Sequence, residues 1–148
     1  MTEQTKIKIE AIVNAPVEKV WKLWNTPADI MKWNTADPGW HTTSSENDLR
    51  INGKFKHRME ARDGSFGFDF EGTYDNIDSY KEIGYTMPDG RTATTLFSGE
   101  ADKTTLITFF DPETENDPEF QKQGWQAILN SFVMYAESEN ANDKSSGK

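Results

Sequence analysis

The sequence predicts an α+β fold in which an antiparallel sheet turns its apolar face toward a long C-terminal helix. Three observations carry this. Apolar and polar residues alternate with period 2 from Lys54 to Asp75, on either side of a turn at Asp63-Gly64. Past the loop that ends at Asp117 the apolar spacing changes to 3 and 4, through Trp125, Ile128, Leu129, Phe132 and Ala136. Nine Phe, five Trp and four Tyr among 148 residues supply a core of rings rather than of aliphatic side chains.

The elements follow in order. Ile7, Ile9, Ala11 and Val13 alternate with Lys6, Lys8 and Glu10 as a half-buried strand does, and the pattern stops before Pro16. Proline is preorganised for a first helical turn, and Val17, Val20, Trp21 and Trp24 then recur at i, i+3, i+4 and i+7, one apolar stripe on one face. Thr26-Pro27 repeats the start signal. The Thr26 hydroxyl is expected to cap a second, shorter helix with Asp29 reaching back, and Ile30 and Trp33 form its buried side. From Gly39 to Pro112 the text is almost wholly strand and turn, with Trp40 and His41 in a loop or an edge strand.

The central hairpin is the informative stretch. Phe55, His57, Met59 and Ala61 share one face of the first arm; Phe66, Phe68, Phe70 and Tyr74 share one face of the second. A two-residue turn at Asp63-Gly64 pairs Arg62 with Ser65, which sets Met59 opposite Phe68, His57 opposite Phe70 and Phe55 opposite Gly72. The two apolar faces then coincide, and outside them Arg58 meets Asp69 and Lys56 meets Glu71. A second hairpin turns at Asp89-Gly90, between Ile83, Tyr85 and Met87 on one arm and Thr92 to Phe97 on the other. A last strand, Thr104 to Phe110, precedes the terminal helix. Gly124 lies inside that helix at a cost of about 1 kcal/mol relative to Ala. A bend, a close approach to the sheet, or no structural cause are its three readings. The structured unit is expected to be one domain, residues 6–136. The polar tail ESENANDKSSGK, residues 137–148, has the composition of a disordered segment.

Composition removes several function classes. Sixteen basic against 25 acidic residues give a formal charge of -9, which repels a phosphate backbone and an anionic lipid surface, so neither nucleic acid nor membrane is an expected partner. No stretch approaches 18 apolar residues and the opening MTEQTKIKIE lacks the build of a signal peptide, so the expected location is cytoplasmic. Without cysteine there are no disulfides, thiolate metal sites or cysteine nucleophiles, and His41 and His57 are too few for a histidine cluster; no metal and no cofactor are expected. The hairpin carboxylates fall on the outer face, away from any pocket. There is no G-x-S-x-G elbow, no G-x-G-x-x-G and no phosphate loop.

The opening NAPVEKVWKLWNTPADIMKWN, the middle DLRINGKFKHRM followed by FDFEGTYDNI, the turn DGRTATTLF and the closing QGWQAILNSFVMY resemble, in order and spacing, the small START-like (SRPBCC) domains related to the activator of heat-shock protein 90 ATPase. The resemblance runs from about Ile7 to Tyr135. It implies a helix-grip fold: a curved antiparallel sheet of six or seven strands wrapped around a long C-terminal helix, two short helices after the first strand, and a hollow that often takes an apolar ligand. Relatives include binding proteins, polyketide cyclases and a co-chaperone domain.

On that resemblance the wall of the hollow would comprise His57, Met59, Phe68, Phe70, Tyr74 and Tyr85 from the sheet and Trp125, Leu129 and Phe132 from the helix. Each also has a plainer reading. His57, the one titratable side chain on the apolar face of its strand, could anchor a ligand or act as a general base; it could equally be a core histidine satisfied by a neighbouring hydroxyl. Tyr74 and Tyr85 could form a polar cluster with it or be ordinary core tyrosines, and Trp21, Trp24, Trp33 and Trp40 read as packing of the helical corner on the sheet.

Three functions remain. The first is a noncatalytic, monomeric binding module enclosing a small apolar or lipid-like molecule. The second is an interaction protein that docks on a chaperone ATPase through its outer surface. The third is an enzyme of cyclase or hydrolase type with His57 as base, for which no second catalytic group stands out, and no catalytic residue is assigned.

Overall fold

The period-2 segment at the start of the chain forms β1 (Ile7–Val13), which buries Ile9 and Val13 and leaves Lys8 and Glu10 outside. The computed structural model describes residues 6–35 and 38–145. Helices α1 (Val17–Asn25) and α2 (Pro27–Trp33) then carry the chain to the far side of the sheet, where β2 (Trp40–Asn47) forms the opposite edge. Five antiparallel pairings bring it back through β3 (Lys54–Ala61), β4 (Gly67–Asp78), β5 (Glu82–Thr86), β6 (Thr92–Glu100) and β7 (Lys103–Phe110). The order is β1-β7-β6-β5-β4-β3-β2, so the first and last strands are neighbours.

The central register is the one the turn dictates: Met59 pairs with Phe68, His57 with Phe70 and Phe55 with Gly72. Gly64 and Gly90 adopt φ of +78° and +94° at the two hairpin turns, a left-handed conformation that disfavours a side chain. Bulges at Thr43 and Asp75 interrupt β2 and β4, and such extra residues bend a strand and deepen its twist. The sheet curls accordingly around α3 (Pro118–Ser145), which lies closest to β1, α1 and α2. Val13, Val20, Leu106, Phe110 and Phe132 are fully buried between them. This is the helix-grip arrangement. No helix among the described residues is long and apolar enough to cross a membrane.

Three details differ from the sequence reading. Thr26 does not cap α2 with its side chain; its hydroxyl donates to the Lys22 carbonyl at 2.6 Å. One residue joins the two helices, so the Lys22 carbonyl, which also accepts from the Thr26 backbone N–H at 3.0 Å, is the nearer partner. Asp29 accepts instead from the Tyr135 hydroxyl and ties α2 to α3. Phe66 is 63% exposed, because the tip of the β3–β4 hairpin extends past the helix; the Trp40 ring lies edge-on to it at 5.9 Å. The segment expected to lack order from residue 137 is helical as far as Ser145; residues 146–148 lie outside the described residues. Its polar side chains have work to do there. Glu137 accepts from the Asn14 backbone N–H at 2.9 Å and the Asn140 amide donates to the Asn14 carbonyl at 3.1 Å, which fixes the helix end to the β1–α1 connection.

Candidate functional site

Alternation along β3 and β4 puts Phe55, His57, Met59 and Phe70 on the concave face, and the helical stripe of α3 turns Trp125, Ile128 and Leu129 toward them. The two surfaces do not meet fully. Where α3 rests on the β1 side, Trp125 stacks flat on Phe110 at 3.9 Å; over β3 to β5 a hollow of about 850 Å³ is left, of the size that takes a small-molecule ligand. Trp24 and Trp33, stacked at 5.0 Å, wall it on the side of α1 and α2. Phe68 and Phe120 stand at its mouth, 42% and 66% exposed, with Trp40 beside Phe68 at 5.9 Å.

All but one of the residues expected on the wall line this hollow. The exception is Phe132. Its ring is fully buried edge-on against Trp24 and Trp33, both at 4.9 Å, because one further turn of α3 has passed from the open part of the sheet to the helical corner. Trp24, Trp33 and Trp40 reverse the error: read as corner packing, they also face the hollow. Nothing in their spacing distinguishes the two.

His57 is 8% exposed and its Nδ1 lies 2.9 Å from the Ser45 hydroxyl on β2. Its ring stacks on Phe55 at 5.1 Å. Burial depresses its pKa from 6.5 to about 4, so at neutral pH the ring is uncharged and a weak proton acceptor. The 2.9 Å contact is short enough for a nucleophile and base, yet Ser45 does not line the hollow, and among the described residues no third group orients the imidazole. The arrangement suits hydrogen bonding better than proton transfer.

Tyr74 donates to the Asn47 side-chain carbonyl, whose amide in turn donates to the Asn25 carbonyl at 2.7 Å. Its hydroxyl is thereby committed to the β2–α1 junction and does not join His57; Phe55 stands between them, 5.3 Å from the Tyr74 ring. Tyr85, opposite Tyr74 on β5, meets Phe55 edge-on at 4.8 Å and directs its surface into the hollow. Burial pushes both phenol pKa values up, so both remain neutral hydrogen-bonding groups. Thr95 and Thr108 pair their hydroxyls at 2.8 Å on the β6–β7 part of the wall.

Two wall residues had no sequence signal. Gln121 is buried near the start of α3, where its amide donates to the Glu113 and Asn116 carbonyls and its carbonyl accepts from the Glu113 N–H, pinning the β7–α3 loop beside the mouth. Asn34, at the end of α2, is 7% exposed, and its side-chain Nδ2 is buried without a hydrogen-bond partner. A polar residue closing a short helix gives no periodicity to read. Among the described residues no group of His, Cys, Asp or Glu is placed to hold a metal ion.

The family model described as Activator of Hsp90 ATPase homolog 1-like protein matches residues 14–137. Among solved structures, the AHSA1-like protein from Aeromonas hydrophila is 42% identical with a TM-score of 0.85, the match covering 90% of this chain and 93% of that one. A protein from Cytophaga hutchinsonii is 48% identical over the same shares, with a TM-score of 0.78. A protein from Nitrosomonas europaea, 18% identical, has the same fold at a TM-score of 0.79 over 95% of this chain and 99% of its own. No curated protein matches. The model spans most of the chain, and the two closer structures repeat its sheet and helix, so the chain belongs to the Activator of Hsp90 ATPase homolog 1-like family of START-like domains.

Proposed function

We propose that this protein is a binding module that encloses a small apolar or lipid-like molecule between the sheet and α3. The observation that carries the reading is the hollow of about 850 Å³, walled mainly by rings and aliphatic side chains, with a few polar groups and the charged residues Arg91 and Glu113 among them. Burying an apolar surface of some 200 Å² there would contribute roughly 5 kcal/mol before the costs of association. The test is a titration with the apolar fluorophore 1-aminoanthracene followed by amide NMR. Shifts at Phe70, Leu129 and Gly124, with the outer-face residues Lys56 and Glu71 unmoved, are expected. Absence of saturable binding, or shifts confined to the outer face, overturns the reading.

The family model favours a second reading, a domain that docks on a heat-shock ATPase. That contact would use the outer surface. Adding the chaperone would then move Lys56, Glu71 and their neighbours and leave Phe70 and Leu129 unchanged; no shift at saturating chaperone removes it.

A further inference from the structure

Several polar side chains on the wall are satisfied by the protein itself: Tyr74 by Asn47, Gln121 by the β7–α3 loop, Thr95 and Thr108 by each other. His57 and Tyr85 are not. The imidazole meets Ser45 through Nδ1, but its Nε2 has no protein partner among the described residues, and neither has the Tyr85 hydroxyl. Both atoms are open to water. Among the described residues Asn34 Nδ2 is the one buried side-chain nitrogen or oxygen that is at once unpaired and closed off from water. Since His57 and Tyr85 both line the hollow, their free atoms open on it.

Their positions bring them to one place. His57 is on β3 and Tyr85 on β5, the strands that flank β4, and their rings lie 6.4 and 6.2 Å from the ring of Phe70 on β4. Each also packs on Phe55, at 5.1 and 4.8 Å. Trp125 of α3 meets the same Phe70 ring edge-on at 6.3 Å and faces them from the helix side. A small group resting over Phe55 and Phe70 therefore has the imidazole on one side and the phenol on the other, in apolar surroundings that strengthen a hydrogen bond.

The chemistry of that group follows from theirs. Both are uncharged at neutral pH. Ser45 can donate to Nδ1 or accept from it, which makes Nε2 a donor or an acceptor in turn, and the Tyr85 hydroxyl can also act either way. A hydroxyl group donates and accepts at once, so it answers both anchors whichever tautomer is present. A carboxylate fits worse. Among the described residues Arg91 is the one cation on the wall; Asp89 already holds it at 2.7 Å, and Glu113 adds a like charge. Beside His57 an anion would give up its hydration for neutral partners.

We infer that the hollow selects an uncharged apolar molecule bearing a hydroxyl group, and that the His57 imidazole and the Tyr85 hydroxyl hold that group between them. This rests on the binding reading above and specifies its ligand. A plain hydrocarbon is disfavoured because it displaces water from both anchors and leaves them unpaired.

The test uses three probes of one chain length, 1-decanol, decane and decanoate, each displacing 1-aminoanthracene. Decanol is expected to bind at least 10-fold more tightly than either of the others. Tyr85→Phe removes one oxygen that no protein group uses, so the variant is expected to melt as the wild type does while losing about 5-fold in decanol affinity, with decane unchanged. His57→Phe, which keeps a ring against Phe55, is expected to lose affinity in the same way; should it not fold, Tyr85→Phe decides alone. A preference over decane below 10-fold, or full decanol affinity in the folded Tyr85→Phe variant, overturns the inference and leaves the binding module standing. Decanoate binding as tightly as decanol would place the recognised group at Arg91 and overturns it too, as does a bound fluorophore that decanol does not displace. If the fluorophore itself does not bind, the binding module fails and the inference with it.

Discussion

The ring of Phe55 occupies the space that a side chain at Gly72 would need: the two residues pair across β3 and β4, and a Cβ at position 72 would stand 2.8 Å from Cε2 and 2.9 Å from Cζ. The glycine lets Phe55 lie back against the sheet. From there it stacks on His57, meets Tyr85 edge-on, and touches Phe70 and Tyr74 at 5.7 and 5.3 Å, so much of the concave wall is registered on one ring.

Gly72→Ala is therefore expected to destabilise the protein by about 1–3 kcal/mol, the range for overpacking a filled core. The sign is informative, because replacing glycine by alanine in a strand without such a neighbour stabilises it by roughly 0.5–1 kcal/mol. Urea denaturation measures the difference, and the displaced ring should also move the His57 imidazole signals. Unchanged or increased stability would show that Phe55 yields freely.

Acid should weaken the fold through His57. Its folded pKa of about 4 lies below the unfolded value of 6.5, so between these pH values the unfolded chain binds a proton that the folded chain does not. Stability should fall as pH drops from 6.5 toward 4, by roughly 3 kcal/mol in all, and this contribution should level off below 4. Asp111, held low by its hydrogen bonds to Lys6 and Thr92, acts at more acid pH, where its carboxylate protonates. The wild-type stability curve should fall relative to that of His57→Gln as pH drops from 6.5 to 4, and the two should run parallel outside that window. A wild-type curve flat over this window would contradict a buried neutral imidazole.

The register of the central hairpin was legible because one turn and two apolar faces admit a single alignment, from Phe55 and Gly72 to Met59 and Phe68. How far the cover extends was not. Period 2 puts Phe66, Phe68 and Phe70 on one face, but the reach of α3 decides that Phe70 is half-buried while Phe66 meets solvent. Leu129 and Phe132 share one helical stripe in the same way, yet the first faces the hollow and the second the helical corner. Asn34 became visible only when the fold closed over it. The order of residues 137–145 was hidden by their composition, since their partner is backbone at Asn14, more than 120 residues earlier.

That partner makes the helix end testable. Glu137 and Asn140 between them hold both backbone groups of Asn14, and Glu137→Ala removes the acceptor for its N–H. The expected cost is about 0.5–1.5 kcal/mol. Hydrogen exchange gives the sharper reading: the Asn14 amide should be protected in the wild type and should exchange markedly faster in the variant, with Leu106 and Phe110 amides unchanged. An Asn14 amide that exchanges at an unstructured rate in the wild type would mean that the helix does not hold this connection.

Gly124 separates the hollow from the packing explanation of the same helix. It lines the cavity, and a Cβ built on it meets nothing within 4 Å, so close approach to the sheet does not account for the glycine. Alanine should then bring the helical preference with no clash, raising stability by about 1 kcal/mol and leaving 1-aminoanthracene binding unchanged. A larger side chain has a different effect. Gly124→Phe places a ring in the space proposed for the ligand, so the variant should remain folded, with near-native circular dichroism and melting, while losing at least 10-fold in affinity for the fluorophore. Destabilisation by alanine would show that the helix needs the freedom of glycine at this turn. Full binding by the folded phenylalanine variant would mean that the ligand space lies elsewhere.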